Sequence, residues 1–310
     1  MMGYVWNASR KYNCPHPHLM KKRTKAVIYV LICTALWALI PVVSKLGQAN
    51  LDNHQFLFWS SAVSFLAFLG ATFAVKQTRT FSSYKILDWF NAVTLGFLGT
   101  YLYYVLLYFG YAKAQGLEVL VLQYSWPVFI MLLSILILRE KMTVRRVFSA
   151  AFGFLGVILV LSKGNFTQIH LDNSFVDILI LVAAFTFGLF SVLSKKVHLE
   201  PYTMITIYFF TATVASFISM LWLSDFSLPT KDAFIPILVN GLLVNGFSYI
   251  LWIKALKSAE ASFVAPFVFL TPVLAAFYLI VFFSEPLLPI YGLGLLSVIM
   301  SGLLNREESH

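Results

Sequence analysis

Apolar residues come in ten runs along this chain, separated by short polar stretches. The runs cover roughly 26–46, 55–75, 88–110, 116–138, 145–162, 175–194, 202–223, 233–253, 260–283 and 287–304. A helix needs about 20 residues to cross the hydrocarbon of a bilayer. Most of the runs reach that length, and the fifth and tenth are the shortest. No water satisfies backbone amides in lipid, so a spanning segment closes its hydrogen bonds as a helix or in a sealed barrel. Barrel strands would alternate apolar and polar residues, and these runs do not. The pattern predicts an all-α integral membrane protein with ten transmembrane helices.

The runs repeat. Ala114, Pro127 and Glu140 return 145 residues later as Ala259, Pro272 and Glu285. Trp37 precedes Lys45 by eight residues in WALIPVVSK, and Phe187 precedes Lys195 by eight in FGLFSVLSK. One unit of five helices is therefore written twice. Five is odd, so the second copy enters the membrane inverted, an arrangement typical of transporters whose site lies between the halves. The expected division is a tail at 1–25, a first repeat at 26–163, an outer linker at 164–174, a second repeat at 175–305 and a tail at 306–310.

Composition agrees with a membrane protein. The chain is 60% hydrophobic and 11% charged, where soluble domains carry about 25% charged residues. A net charge of +9 raises the question of nucleic acid, but the placement of the charge answers it. Eighteen of the 22 lysines and arginines fall on the side of the N-terminus; Lys45, Lys113, Lys163 and Lys231 fall on the other. That is a positive-inside bias, which puts both termini in the cytoplasm and leaves no basic folded domain for nucleic acid.

Cys14 and Cys33 lie in the tail and the first run, and give no disulfide framework. Cys14-Pro-His-Pro-His18 reads either as a metal-binding tail or as a plain extension ahead of a natural start at Met20. The lysines from Lys21 to Lys25 open an apolar run too long for a signal peptide and without a clear cleavage site. Asn165-Phe-Thr167 is a glycosylation sequon with meaning only in a secretory host.

The repeated unit resembles the EamA-type domain of the drug/metabolite transporter superfamily. The matching features are the small-residue entry to the fourth helix, its proline and the closing carboxylate. They run from Ala114 through Pro127 to Leu138-Arg-Glu-Lys141, and again from Ala259 through Pro272 to Ser284-Glu285. The resemblance covers about 25–305 and implies ten helices in two inverted five-helix repeats. Glu118-Val119, Tyr124 and Trp126-Pro127 are also similar to the fourth helix of YddG-like exporters of aromatic amino acids. The second copy departs from that pattern: Phe263 stands for Glu118, Val268 for Gln123 and Thr271 for Trp126.

Candidate chemistry follows from polar and aromatic residues inside the runs. Glu118 sits one turn into the fourth helix, where an ionised carboxylate is costly without water or a partner. It reads either as a ligand for an amine or a coupling proton, or as a cap suiting the helix dipole. On a helical period Glu118, Leu122 and Ser125 share a face with Trp126 at its edge, and Tyr124 points mostly the other way. Pro127 frees the carbonyl of Gln123, so Pro127 and Pro272 are candidate helix-distorting residues, either near the site or as tolerated kinks.

Phe97, Tyr101, Tyr104, Tyr108 and Tyr111 form one stripe, either a cavity wall or an interfacial belt. Asn245, Tyr249 and Trp252 share a face of the eighth helix, and Asn245 serves substrate or interhelical bonding. The candidate substrate-binding set is Trp37, Tyr101, Tyr104, Glu118, Gln123, Trp126, Asn245, Tyr249 and Trp252. Lys45, Glu140, Lys195 and Glu285 are candidate gating residues at the two membrane faces, against the simpler reading of lysines that snorkel.

A membrane enzyme would need clustered His, Asp or Cys, and the histidines beyond the tail are scattered. With no nucleotide-binding motif, a secondary-active exporter of small metabolites by alternating access is expected, aromatic amino acids first. It uses no cofactor or metal, and its partners are a small-molecule substrate and the lipid bilayer. Nucleotide sugars and drug-like solutes are the alternative cargo. Nucleotide sugars would call for more basic cavity residues, and a multidrug role for a carboxylate in the first helix.

Overall fold

The computed structural model describes residues 17–77, 79–113, 116–166, 174–284 and 286–305. Among them, nine helical stretches are long and apolar enough to cross a membrane: Lys21–Gly47, Asn53–Ala74, Ile86–Leu107, Val119–Leu138, Val144–Leu161, Ser174–Lys196, Pro201–Leu223, Lys231–Ser258 and Ala261–Phe283. A tenth apolar helix, Pro289–Leu304, is shorter. These are spans one to ten. The described residues contain no strand. The protein is an all-helical membrane protein built from two five-helix repeats.

Packing shows the inversion. Span one lies on spans eight and nine, and span six lies on spans three and four, the same relation with the repeats exchanged. Spans two and seven pack on each other, as do five and ten. Two glycines set the close crossings. A Cβ on Gly96 would stand 2.7 Å from the Tyr208 Cα, and one on Gly241 would stand 2.9 Å from the Ser60 carbonyl. Gly241 is the repeat counterpart of Gly96. Small residues let helix backbones approach in lipid, where no hydrophobic force drives helices together. Hydroxyls bond across the same crossings: Thr100 Oγ1 donates to the Tyr208 carbonyl (3.0 Å) and Ser64 Oγ to the Gly241 carbonyl (2.8 Å).

Loops obey the symmetry too. Asp52 caps span two, accepting from the amides of His54 and Gln55, and Glu200 caps span seven, accepting from those of Tyr202 and Thr203. At one end of the molecule Gln55 Nε2 and Trp59 Nε1 donate to the Asp225 and Ser227 carbonyls. At the other end the Tyr84 hydroxyl bonds Thr203 and accepts from the Glu200 amide.

Two features depart from a plain set of helices. Span three carries a π-helical segment at Phe97–Leu102, and span eight carries one at Asn240–Phe247. π segments shift the register of every residue beyond them and mark functional places. Spans one, four and nine are also broken. Span one divides into Pro17–Trp37 and Ile40–Gly47, and span four into Gly116–Gln123 and Trp126–Leu138. Span nine runs as Ala261–Val264, a 3₁₀ turn at Ala265–Phe269, and Leu270–Phe283.

Pro41 and Pro127 each sit in the first turn of a new half-helix, where a missing N–H costs nothing. The prolines thus start helices rather than kink them. Span six, Ser174–Lys196, runs unbroken; Ser191 stands there in place of Pro41.

Candidate functional site

Residues beside the breaks of spans one, four and nine border a cavity of about 630 Å³ between the repeats. Spans one, three, four and nine wall it, with the ends of five and ten. Trp37, Tyr103, Tyr104, Gln123 and Tyr124 lie deepest, and the walls run out to the exposed Lys45 and Lys163. The cavity therefore opens at the loop end between spans one and two. Among its described lining residues the charged ones are Lys45 and Lys163, and none is a carboxylate. Lys45 Nζ rests over the Phe283 ring, 4.0 Å from its centroid.

Aromatic rings close the floor. Trp37 meets Trp126 at 5.8 Å, Phe187 at 5.9 Å and Trp252 at 5.3 Å, and Trp126 meets Phe187 at 5.0 Å, mostly edge to face. Such pairs each contribute about 0.5–1.5 kcal/mol beyond burial. The plug joins spans one and four of one repeat to six and eight of the other.

Hydrogen bonds fix the rings that surround it. Tyr104 donates to Asn245 Oδ1 (3.3 Å), and in the reciprocal direction Tyr249 donates to the Gly99 carbonyl (3.2 Å). Each π segment thus receives a tyrosine from the other repeat. Gln123 Nε2 donates to the Tyr103 hydroxyl (2.7 Å), and Trp252 Nε1 donates to Ser191 Oγ (3.1 Å).

Beyond the plug the opposite end is shut by charge. Glu140, 8% exposed, pairs with Lys195 at 3.2 Å. It also accepts from the amides of Ala261 (2.8 Å) and Ser262 (2.9 Å) and from Ser262 Oγ (2.7 Å). Lys195 donates to the Ala259 carbonyl as well. Arg146, 3% exposed, donates to Ser262 Oγ (2.8 Å) and Glu260 (2.9 Å), and Arg23 donates to the same Glu260 oxygen (3.0 Å). Burial pushes the Glu140 carboxyl up, but the Ser262 amide, Lys195, the Ser262 hydroxyl and the Ala261 amide outweigh it. The net effect holds it below its usual value.

Several sequence expectations meet here. Trp37, Tyr104, Gln123 and Trp126 line the cavity or its floor, and Asn245 holds Tyr104. Tyr249 and Trp252 are fully buried behind the plug rather than on the cavity wall. Tyr101 packs on Phe97 at 5.4 Å and does not line the cavity; Tyr103 takes that place. The reason is the π segment, which breaks the regular helical period that joined Tyr101 to Tyr104. Tyr124 does line the cavity, together with Leu120 and Gln123, because span four breaks at Tyr124-Ser125 and turns its face.

Pro272 lines the cavity and Pro127 is buried beside Trp126. Lys195 does not snorkel; it pairs with Glu140. The Glu118, Tyr108 and Tyr111 side chains, Ala114 and Glu285 lie outside the described residues. Sequence reasoning missed Thr271, Arg146 and Glu260. Arg146 left a signal: a buried cation in the first turn of a helix opposes the dipole and calls for a nearby anion.

Two inverted repeats around a central cavity, open at one end and closed by rings and ion pairs at the other, define a membrane transporter. The profile of the EamA-like transporter family matches residues 24–162 and again 174–305. The chain belongs to that family. It is 25% identical to the uncharacterized transporter YoaV of Bacillus subtilis (strain 168) over 272 residues, 82% of this chain and 87% of the relative. It is 22% identical to an uncharacterized transporter of Archaeoglobus fulgidus over 259 residues, 82% and 88% of the two chains. It is also 27% identical to an S-adenosylmethionine uptake transporter of Rickettsia felis over 180 residues, 57% of this chain and 58% of that one. A protein solved by crystallography shares the fold with a TM-score of 0.81 at 14% identity, covering 91% of this chain and 97% of its own.

Proposed function

We propose that this transporter is a secondary-active exporter of small aromatic metabolites, with aromatic amino acids first among them. The observation that carries this reading is the cavity itself. Its volume of about 630 Å³ falls within the roughly 300–1,000 Å³ of small-molecule sites. Trp37, Tyr103, Tyr104 and Tyr124 offer ring faces, and Lys45 offers a cation at the mouth. Trp126 and Gln123 complete the inner end, and Glu118 is retained as the candidate for a substrate amine or a coupling proton.

The chain sits in a cytoplasmic membrane with both termini inside, on the strength of its basic asymmetry. In that orientation the open cavity faces outward, and Glu140–Lys195 belongs to the inner closure. Lys45 and Glu285, their repeat counterparts, close the outer end when the halves rock. The test is efflux from proteoliposomes loaded with labelled phenylalanine, tryptophan, glutamate or a nucleotide sugar. Efflux of the aromatic amino acids alone is the expected result. Efflux of glutamate or the nucleotide sugar without them refutes the reading.

The relative named for S-adenosylmethionine uptake favours a second cargo. That molecule also joins an amino acid to an aromatic ring, and uptake of it by right-side-out vesicles would reverse the direction assigned here.

A further inference from the structure

The two repeats differ at the cavity floor. Trp126 of the first repeat has Thr271 as its counterpart in the second, 145 residues on. Trp126 packs edge-on against Trp37, but Thr271 is too small to fill the equivalent space. A void of about 30 Å³ remains there, bordered by Trp37, Thr271, Tyr103, Tyr104 and Gln123. Two residues that border this void each carry a buried polar atom without a hydrogen-bond partner: Trp37 Nε1 and Thr271 Oγ1. Their residues are 6% and 3% exposed. Buried donors are ordinarily satisfied, and leaving one unmade is costly. The indole of Trp252 behind the plug shows the contrast, since its Nε1 is bonded to Ser191.

We infer that Trp37 Nε1–H and Thr271 Oγ1–H form a subsite for one oxygen of a substrate carboxylate. The indole N–H can only donate and the threonine hydroxyl is free to donate, so a single acceptor atom satisfies both. The void has the size of a single oxygen. Lys45 and Lys163 on the cavity wall favour an anionic acceptor over a neutral carbonyl. The subsite lies where the inverted repeats are unequal, with Thr271 for Trp126 and Val268 for Gln123 among its borders. This inference rests on the reading that the cavity takes an aromatic cargo, and it adds which end of that cargo goes deepest.

The experiment titrates purified protein by thermal shift with L-phenylalanine and benzoate, and with phenethylamine and benzyl alcohol as carboxylate-free comparators. The variants are Trp37→Phe, which keeps a ring and removes the N–H, and Thr271→Val, which keeps the shape and removes the hydroxyl. Thr271→Ser serves as the rescue. At least one carboxylate should stabilise the wild type, and each of the first two variants should weaken it about tenfold, the scale of one hydrogen bond to a charged group. Thr271→Ser should bind as the wild type does, and the comparators should not distinguish wild type from variants.

Benzoate binding that depends on both residues, with no phenylalanine binding, keeps the subsite and removes the amino-acid cargo. Phenylalanine binding unchanged in both variants keeps the cargo and overturns the subsite, whose void then holds only water. Binding of neither carboxylate overturns both. If Trp37→Phe fails to fold, the contrast of Thr271→Val with Thr271→Ser decides alone.

Discussion

Replacing Glu140 by Gln tests whether the charged closure governs which face of the transporter is open. The carboxylate holds Lys195 at 3.2 Å and accepts three further hydrogen bonds from Ala261 and Ser262. All these partners belong to the second repeat, so the contacts tie the halves together at this end. Glutamine keeps the shape and removes the charge, and its amide nitrogen turns a donor toward a backbone N–H. Hydrogen bonds to charged groups contribute about 1.5–3 kcal/mol each, and an unmade one carries a penalty of similar size. Lys195 is 21% exposed, so solvent screens part of the pair. A net loss of about 3 kcal/mol is a shift of roughly 150-fold between the two states, at 1.4 kcal/mol per tenfold.

The assay needs a reporter that is buried now and exposed after the switch. Val268 is fully buried, and it occupies the position in the second repeat that Gln123 occupies in the first. Gln123 lines the open cavity, so Val268 is expected to line its mirror image. In a protein with Cys14 and Cys33 changed to Ser and Val268 changed to Cys, Glu140→Gln should raise labelling by an impermeant maleimide at least tenfold. Unchanged labelling would refute the latch. The pH profile adds a sign. The folded Glu140 carboxyl lies below its usual value, so its contribution is full above the ordinary glutamate value of about 4.3. It is lost as pH falls through the depressed folded value. Labelling should stay flat from neutrality down to that region and rise only in acid.

Glu118→Gln should lower efflux about tenfold with little change in protein level, since losing a charge-assisted contact costs about 1.5–3 kcal/mol; normal efflux with a lower melting temperature would leave only a helix cap. Gly241→Ala should lower the melting temperature, because its Cβ would stand 2.9 Å from the Ser60 carbonyl and 2.7 Å from Val63 Cβ; overpacking of this kind costs about 1–3 kcal/mol, and an unchanged melting curve would show that spans two and eight can separate. A reporter active only outside the cell, fused after Asn305, should be silent, and a strong signal would reverse the orientation.

Much of the architecture was legible in the sequence because lipid makes the rules severe. Every span must satisfy its own backbone, so ten apolar runs announce ten helices. The recurrence of Pro127 and Glu140 as Pro272 and Glu285, with an odd number of spans per copy, carried the inversion. Trp37, Tyr104, Gln123, Trp126 and Asn245 were candidates because they are polar or aromatic residues within apolar runs, and the structure brings them to the cavity, its floor or its immediate neighbour.

What only the tertiary structure decided is how these residues face one another. A regular 3.6-residue period joined Tyr101 to Tyr104, but the π segment at Phe97–Leu102 turned Tyr103 to the cavity instead. The break at Tyr124-Ser125 did the same for Tyr124. The π segment is held by the other repeat: Tyr249 bonds to Gly99, and Gly96 just before it lies against Tyr208. Long-range pairs such as Glu140 with Lys195 and Arg146 with Glu260 likewise join residues of different repeats. Local sequence fixes the period of a helix; the packing of two unequal copies fixes where that period is interrupted, and so where the cavity lies.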